Sequence, residues 1–184
     1  VLTRPTAAER AAALPGDGLV APADVVMDRA FSLPAPPDAV WPWLVQLGKR
    51  RAGWYLPGFL ERVVPPSRRG LRHLDDRLGH LAVGDVIPDW GGRDATFTVA
   101  SLEPSQHLLH TSTRGHTRLT WCLRLRPEDG GGTRLHLRLR MAPVRHPLLA
   151  ARFGGLVDQL TVMGLAAGLR ERVRSVSEAP PAGG

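Results

Sequence analysis

The chain has 184 residues, 24 of them basic and 17 acidic, for a formal net charge of +7 and an isoelectric point near 11.2. That length suits one domain with short extensions, enough to bury roughly 70% of the surface the unfolded chain exposes. Cys122, the only cysteine, excludes an internal disulfide framework and any multi-cysteine zinc site.

A mean hydropathy of −0.12, with no uncharged apolar run near the roughly 18 residues a membrane span requires, argues against a transmembrane segment; the longest candidate is 160–169. The cysteine usage, and the lack of a basic segment followed by an apolar one at the start, predict a reducing, cytoplasmic setting without a signal peptide. Lys49 is the only lysine. A charge carried almost wholly by arginine, in a chain rich in Ala, Gly and Pro, reads largely as codon bias rather than as a nucleic-acid footprint.

Residues 1–23 read as a peripheral N-terminal arm. Thr6-Ala-Ala-Glu9 fits a capping box over a short Ala-rich helix, which Leu14-Pro-Gly-Asp17 ends. Residues 24–33 read as a strand, stopped by Pro34, Pro36 and Pro37. A helix follows with Pro37 in its first turn, an apolar stripe of Val40, Trp41, Leu44, Val45 and Leu47, and Gly48 as its stop. Pro42 must then sit near the first turn or kink the helix. A second short helix is expected over 54–64, closed by Pro65-Pro66. The Arg-rich stretch 67–82, broken by Gly70 and Gly79, has no clear period, and its position after the short helices suggests a lid.

From there the texture is β. Residues 83–88, 95–102 and 107–112 are short strands separated by Asp89-Trp-Gly-Gly92 and Glu103-Pro-Ser105. Two longer runs alternate strictly: Leu119, Trp121, Leu123 and Leu125 with Arg118, Thr120, Cys122, Arg124 and Arg126; then Leu135, Leu137, Leu139 and Met141 with Arg134, His136, Arg138 and Arg140. Period two means one face buried and one solvated, and the loop 127–132 with three glycines pairs the runs as a hairpin. Residues 148–176 form a long helix with apolar residues at spacings of three and four. Gly154, Gly155, Gly164 and Gly168 each cost it about 1 kcal/mol; they either let the helix lie close to the sheet or leave room for a ligand. Residues 177–184 read as a disordered tail.

In this order of elements the chain resembles the START-related helix-grip (SRPBCC) superfamily, which includes polyketide cyclases and aromatases, lipid-transfer domains and the birch pollen allergen. The resemblance spans about 24–176. It rests on Ala35-Pro-Pro-Asp-Ala-Val-Trp-Pro-Trp-Leu44 entering the first helix, Arg51-Ala-Gly-Trp-Tyr55, Val83-Gly-Asp-Val-Ile87 and the closing helix. It implies an α+β domain, a curved antiparallel sheet wrapped around a long C-terminal helix with two short helices after the first strand. Between sheet and helix it implies a cavity for a hydrophobic small molecule, with cyclisation or dehydration of a polyketide-like substrate in some members. The superfamily has no shared catalytic motif, so no residue role transfers by position.

No Gly-x-Ser-x-Gly, His-Glu-x-x-His, phosphate loop or dinucleotide fingerprint occurs, and no cofactor or metal is expected. His107 and His110 point to opposite faces of a strand; His73 and His80 flank Asp75-Asp76 but need a folded-back loop to ligate anything. Cys122 lies on the outer row, away from any cavity. The expected cavity wall comprises Trp54, Tyr55, Trp90 and Trp121, with Met163 and Gly164 from the long helix; plain core packing is the alternative, for Trp41 and Trp121 above all. Asp89 is the candidate acid or base, although a turn-former at a strand end is the stronger reading of it, with Tyr55 and His110 as further proton-transfer groups. The three readings are a ring-binding cyclase-like enzyme, a non-catalytic binder or carrier of lipid or small molecules, and an adaptor using the Arg face for an acidic partner or nucleic acid. That face lacks the interleaved aromatics that stack bases. Nothing in the residues sets the oligomeric state.

Overall fold

In the computed structural model, which describes residues 3–177, the capping box forms. The Thr6 hydroxyl accepts from the Glu9 amide at 3.1 Å, and the Glu9 carboxylate accepts from the Thr6 amide at 2.6 Å, opening α1 (Ala7–Ala11). Strand β1 (Val25–Leu33) runs into the prolines, and α2 (Pro37–Gln46) starts on Pro37. Its stripe differs by one side chain: Trp43 is fully buried with Val40, Leu44 and Val45, whereas Trp41 stays half-buried. Pro42 lies inside the helix and leaves one carbonyl of the previous turn without its amide donor.

The second short helix is confined to α3 (Gly58–Glu61), with residues 54–56 outside any regular element and Pro57 at its N-cap. The Arg-rich stretch is not a lid. Two 3-10 turns, Pro66–Arg68 and Asp76–Leu78, fold it against the core. Leu71 N–H donates to the Ala52 carbonyl at 2.8 Å, Gln46 bridges the His73 carbonyl and the Asp75 amide, and Arg51 donates to the Leu78 carbonyl.

Strands β2 (Val86–Pro88), β3 (Thr96–Glu103), β4 (His107–Arg114), β5 (Thr117–Glu128) and β6 (Gly132–Ala142) follow. With β1 they make one open antiparallel sheet of six strands among the described residues, ordered β1-β6-β5-β4-β3-β2. Both long strands extend further than the alternating runs, and the hairpin loop shrinks to 129–131, where Gly130 and Gly131 take φ of +86° and +82°. Helix α4 (Pro147–Leu149) and a π-helical turn (Ala150–Gly154) lead into α5 (Gly155–Ser177). The helical stretch Pro147–Ser175 is, by length and composition, apolar enough to cross a membrane, longer than the run 160–169 that the sequence suggests. Its second half is the centre of the domain core. The tail residues 178–184 lie outside the described residues.

The inner row of the hairpin packs as expected, with Leu123, Leu125, Leu135 and Leu137 in one core with Phe31, Leu33, Trp43, Tyr55, Leu165 and Leu169. The outer row is only partly a solvated Arg face: Arg118 and Arg126 are exposed, but the N-terminal arm covers the part that carries Arg134, Arg138 and Arg140. Leu14 packs on Leu109 and Cys122, and Ala30 N–H donates to the Thr3 carbonyl. Arg138 is 4% exposed and donates to Asp28, Asp17 and the carbonyls of Glu9, Arg10 and Ala12. It therefore caps the end of α1 as well as pairing with two carboxylates. Arg134 pairs with Glu9, and Arg140 donates to the Val20 carbonyl. Cys122 does lie on the outer face, under the arm, where burial pushes its thiol up to about 12. It is inert at neutral pH.

Helix α5 is held mainly by its second half. Arg172, 1% exposed, donates to the carbonyls of Leu71, Leu56, Gly168 and Gly70 and to the Glu61 carboxylate, using all five of its N–H groups. Its guanidinium also lies 4.5 Å from the Tyr55 ring centre. A Cβ at Gly168 would stand 2.6 Å from the Tyr55 carbonyl carbon, and one at Gly164 would stand 2.9 Å from Leu56. These two glycines are there for close approach.

Removing one partner from a buried, fully bonded ion pair costs about 3–5 kcal/mol. Arg172→Met should therefore lower the urea midpoint by that equivalent, and Arg172→Lys should restore little because three donors cannot meet five acceptors. The arm adds a pH dependence. The Arg134 hydrogen bond holds the Glu9 carboxyl at about 2 against an ordinary 4.5. Its stabilisation is complete above pH 4.5 and is lost as pH falls towards 2. The urea midpoint should fall more steeply over that window in the wild type than in Glu9→Gln; equal slopes would contradict the pairing.

Candidate functional site

Because α5 is packed at its second half, its first turns stand off the sheet. Leu156, Val157 and Leu160 are 59%, 64% and 61% exposed, whereas Leu165 and Leu169 are fully buried. Near its start the helix is tied to β1 through Arg29, which donates to the Gly155 carbonyl at 2.9 Å and pairs with Asp158 at 3.0 Å. Between the raised turns, the end of β2 and the inner faces of β3–β6 lies an open cleft. It has two adjoining lobes of about 460 and 570 Å³ that share Trp54, Asp89 and Trp121 in their walls. A recess of about 40 Å³ adjoins it, sharing Trp54, Trp90 and Trp121 in its walls and lined also by His110.

The walls are mostly aromatic and aliphatic. Trp54, placed by the segment before α3, stacks on Trp121 (ring centres 6.2 Å, 25°) and meets Trp90 edge-on at 6.0 Å. Phe97 packs against Trp121 and His110. Leu119, Leu139, Met141 and Met27 continue the floor. Such flat apolar surfaces with few polar points are what ring-bearing ligands require.

The polar groups are few. Asp89 directly follows β2 and forms the turn that is one of its two sequence readings. Its Oδ2 accepts from the Gly91 amide at 3.1 Å, forming the turn, and from Arg114 at 2.5 Å, while its carboxylate lines the cleft. Its carbonyl accepts from Lys49, so the only lysine holds this corner in place. Arg114 also lies over the Phe97 ring at 5.3 Å. His110 is 4% exposed on the inner face of β4, stacked on Trp121 at 5.5 Å, and its Nδ1 has no hydrogen-bond partner among the described residues. Burial pushes its pKa down to about 4, partly opposed by a hydrogen bond to the Trp121 backbone. On the helix side Asp158 is shifted upward by burial, against the pull of Arg29.

Of the residues singled out from sequence, the structure brings Trp54, Trp90, Trp121, Asp89 and His110 to this cleft. Tyr55, Met163 and Gly164 line none of it. Tyr55 is fully buried and donates to the Trp43 carbonyl at 2.9 Å, and burial pushes its phenol upward; it is a core side chain clamped between Trp43 and Arg172. Gly164 faces Leu56. The sequence reading missed Phe97, Arg114, Leu119, Leu139, Met27 and Thr161. The hairpin's alternation already placed Leu119 and Leu139 on the inward row. Arg114 carries no such mark, since nothing local shows that it reaches Asp89. His107 is on the opposite face from His110, bonded to Ser101 at 2.9 Å, and Asp75 is engaged by Arg77. No group of three or more His, Cys, Asp or Glu side chains suited to a metal ion occurs among the described residues.

Residues 24–178 match the family model for polyketide cyclase/dehydrase and lipid transport proteins, and the chain belongs to that family. A protein of Rhodobacter sphaeroides shares the fold, with a TM-score of 0.54 at 16% identity over 83% of this chain and 94% of that one. CalU16 from Micromonospora echinospora aligns with a TM-score of 0.48 at 17% identity, covering 83% and 85% of the two chains. A Mesorhizobium loti protein gives 0.48 at 19% identity, covering 80% and 98%. No curated protein matches the sequence.

A pKa near 4 means that His110 is neutral from pH 5 upward. The unfolded chain binds its proton already at 6.5, so the stability this ring contributes is complete above pH 6.5 and is lost as pH falls towards 4. Its NMR ring signals should titrate near pH 4; titration near 6.5 would show an exposed ring and a different recess.

Proposed function

We propose that this family member binds a hydrophobic, ring-bearing small molecule in the cleft between α5 and the sheet. The observation that carries the reading is the aromatic frame of Trp54, Trp90, Phe97 and Trp121 around one open volume. A lobe of about 460 Å³ falls in the size range of ligand pockets, roughly 300–1,000 Å³. The Trp54 and Trp121 planes are already stacked on each other, so a flat ring gains contact area without reordering flexible side chains. A binder or carrier needs nothing further than this wall.

The second reading, catalysis of cyclisation or dehydration on a polyketide-like chain, draws on the polar groups at the cleft. A neutral buried imidazole at His110 is in the form that accepts a proton, and Arg114 beside Asp89 offers a cation for an oxygen that becomes negative. Wall shape would hold the chain near its reactive conformation. The adaptor reading has less support, because Arg134, Arg138 and Arg140 are occupied by the arm.

Intrinsic tryptophan fluorescence tests the binding. Polycyclic aromatic probes should quench it saturably, and Trp54→Ala and Trp121→Ala should each weaken binding by about tenfold, since ring stacking and burial are worth about 1–2 kcal/mol. Unchanged affinity in both variants would remove the cleft from consideration. For the catalytic reading, Asp89→Asn should lower turnover of any demonstrated substrate without unfolding the protein.

A further inference from the structure

The recess beside the cleft is too small for a ring and too well placed to be a packing flaw. Its volume of about 40 Å³ is a few times the space one water centre needs, roughly 10–15 Å³, so it admits a small substituent but not a ring. Its lining is apolar, from Leu44, Leu47, Ile87, Phe97 and Leu123, apart from Asp89 and the His110 imidazole. Asp89 is already bonded to Arg114 and Gly91. His110 is not equally satisfied: the ring is buried and its Nδ1 lacks a partner among the described residues. A polar group left this way in an apolar site costs more than the ordinary net worth of a hydrogen bond, and an aliphatic or aromatic side chain would fill the position more cheaply.

We infer that His110 is the specificity-determining residue of the cleft, and that the ligand is a neutral ring compound carrying a hydroxyl on its edge, which enters the recess and hydrogen-bonds the imidazole. This rests on the ring-binding reading above and narrows its ligand class. The chemistry of the recess selects a hydroxyl. The Trp121 backbone already engages the imidazole N–H, which leaves the lone pair of the unpartnered nitrogen, and a hydroxyl can donate to it. A carboxylate or phosphate is disfavoured, since His110 carries no charge to balance it and the recess has no cation of its own facing inward. An ammonium would need a carboxylate not already committed to Arg114. The stacked Trp54 and Trp121 set the plane of the ring, and the adjoining recess receives the substituent at its edge.

The discrimination follows the rule that a site built to bond a hydroxyl rejects the analogue lacking it more strongly than a carbon pocket rejects a missing methylene. The test compares 2-naphthol, naphthalene and 2-methoxynaphthalene on the whole chain by tryptophan quenching. The wild type should bind 2-naphthol about tenfold more tightly than naphthalene and should gain nothing from the methyl ether, which cannot donate to the imidazole. In His110→Phe the preference for the naphthol should vanish while naphthalene binding persists. Equal affinity for 2-naphthol and naphthalene in the wild type overturns the inference without needing a variant to fold. So does a preference that survives in His110→Phe but disappears in Asp89→Asn, which would place the hydroxyl on the carboxylate. If none of the three probes binds, the ring-binding reading fails first and this inference falls with it.

Discussion

The guanidinium of Arg172 is the interaction on which the arrangement of the domain turns. No water reaches it, so each of its five N–H groups must find an acceptor in protein. The acceptors come from three separate places: α5 itself, the segment of Leu56 and Glu61, and the Gly70–Leu71 backbone. One side chain thereby fixes where the Arg-rich stretch lies, where residues 54–56 run, and how near the helix approaches them. Gly164 and Gly168 permit that approach by leaving no Cβ to obstruct it. Arg72 extends the same network outward by pairing with both Glu61 and Glu171.

A helix clamped this tightly along one half need not follow a twisted sheet along the other. The first turns of α5 are held by the Arg29 strap to β1, by Gln159 donating to Thr3 and by Trp54 donating to the Thr161 carbonyl, and the volume they leave open is the cleft. On the reverse side of the sheet Arg138 plays a matching part, tying the arm, Asp17 and Asp28 together with five bonds of its own. Burial pushes the Asp28 carboxyl up, but hydrogen bonds from His136 and Arg138 outweigh it and hold the group ionised. With part of the outer face covered, the strands that carry Phe97, His110, Arg114, Leu119, Trp121 and Leu139 are supported from behind. The cleft wall is therefore formed before any ligand arrives, which lowers the ordering cost of binding.

The alternation of Leu119 to Leu125 against Arg118 to Arg126 showed which side chains share a face, because period two is a property of the backbone. It could not show what covers that face. Arginines on an outer row look alike whether they meet water or a chain segment more than a hundred residues away, and Arg138 meets the latter. The same limit explains Tyr55. Sequence placed it beside Trp54, but nothing local shows that the two part, Trp54 to the cleft wall and Tyr55 to the core. The helix glycines were ambiguous for a similar reason: Gly164 and Gly168 serve close approach, whereas Gly154 lines the cleft beside Met27. Asp89 was legible as a turn residue, and its position after β2 also brings it to the cleft wall. Arg114 and Phe97 depend on strand pairing across the sheet, which no local pattern reveals.

The claim that everything else rests on is the uneven docking of α5, and amide hydrogen exchange along that helix tests it most directly. Exchange reports local opening, and opening is easiest where few apolar contacts must be broken. One-ended docking predicts that amides of residues 165–173 exchange only with global unfolding, while those of 156–161 exchange faster by several orders of magnitude. Uniform strong protection from one end of α5 to the other would contradict it, because a helix packed along its whole length leaves no cleft between itself and the sheet.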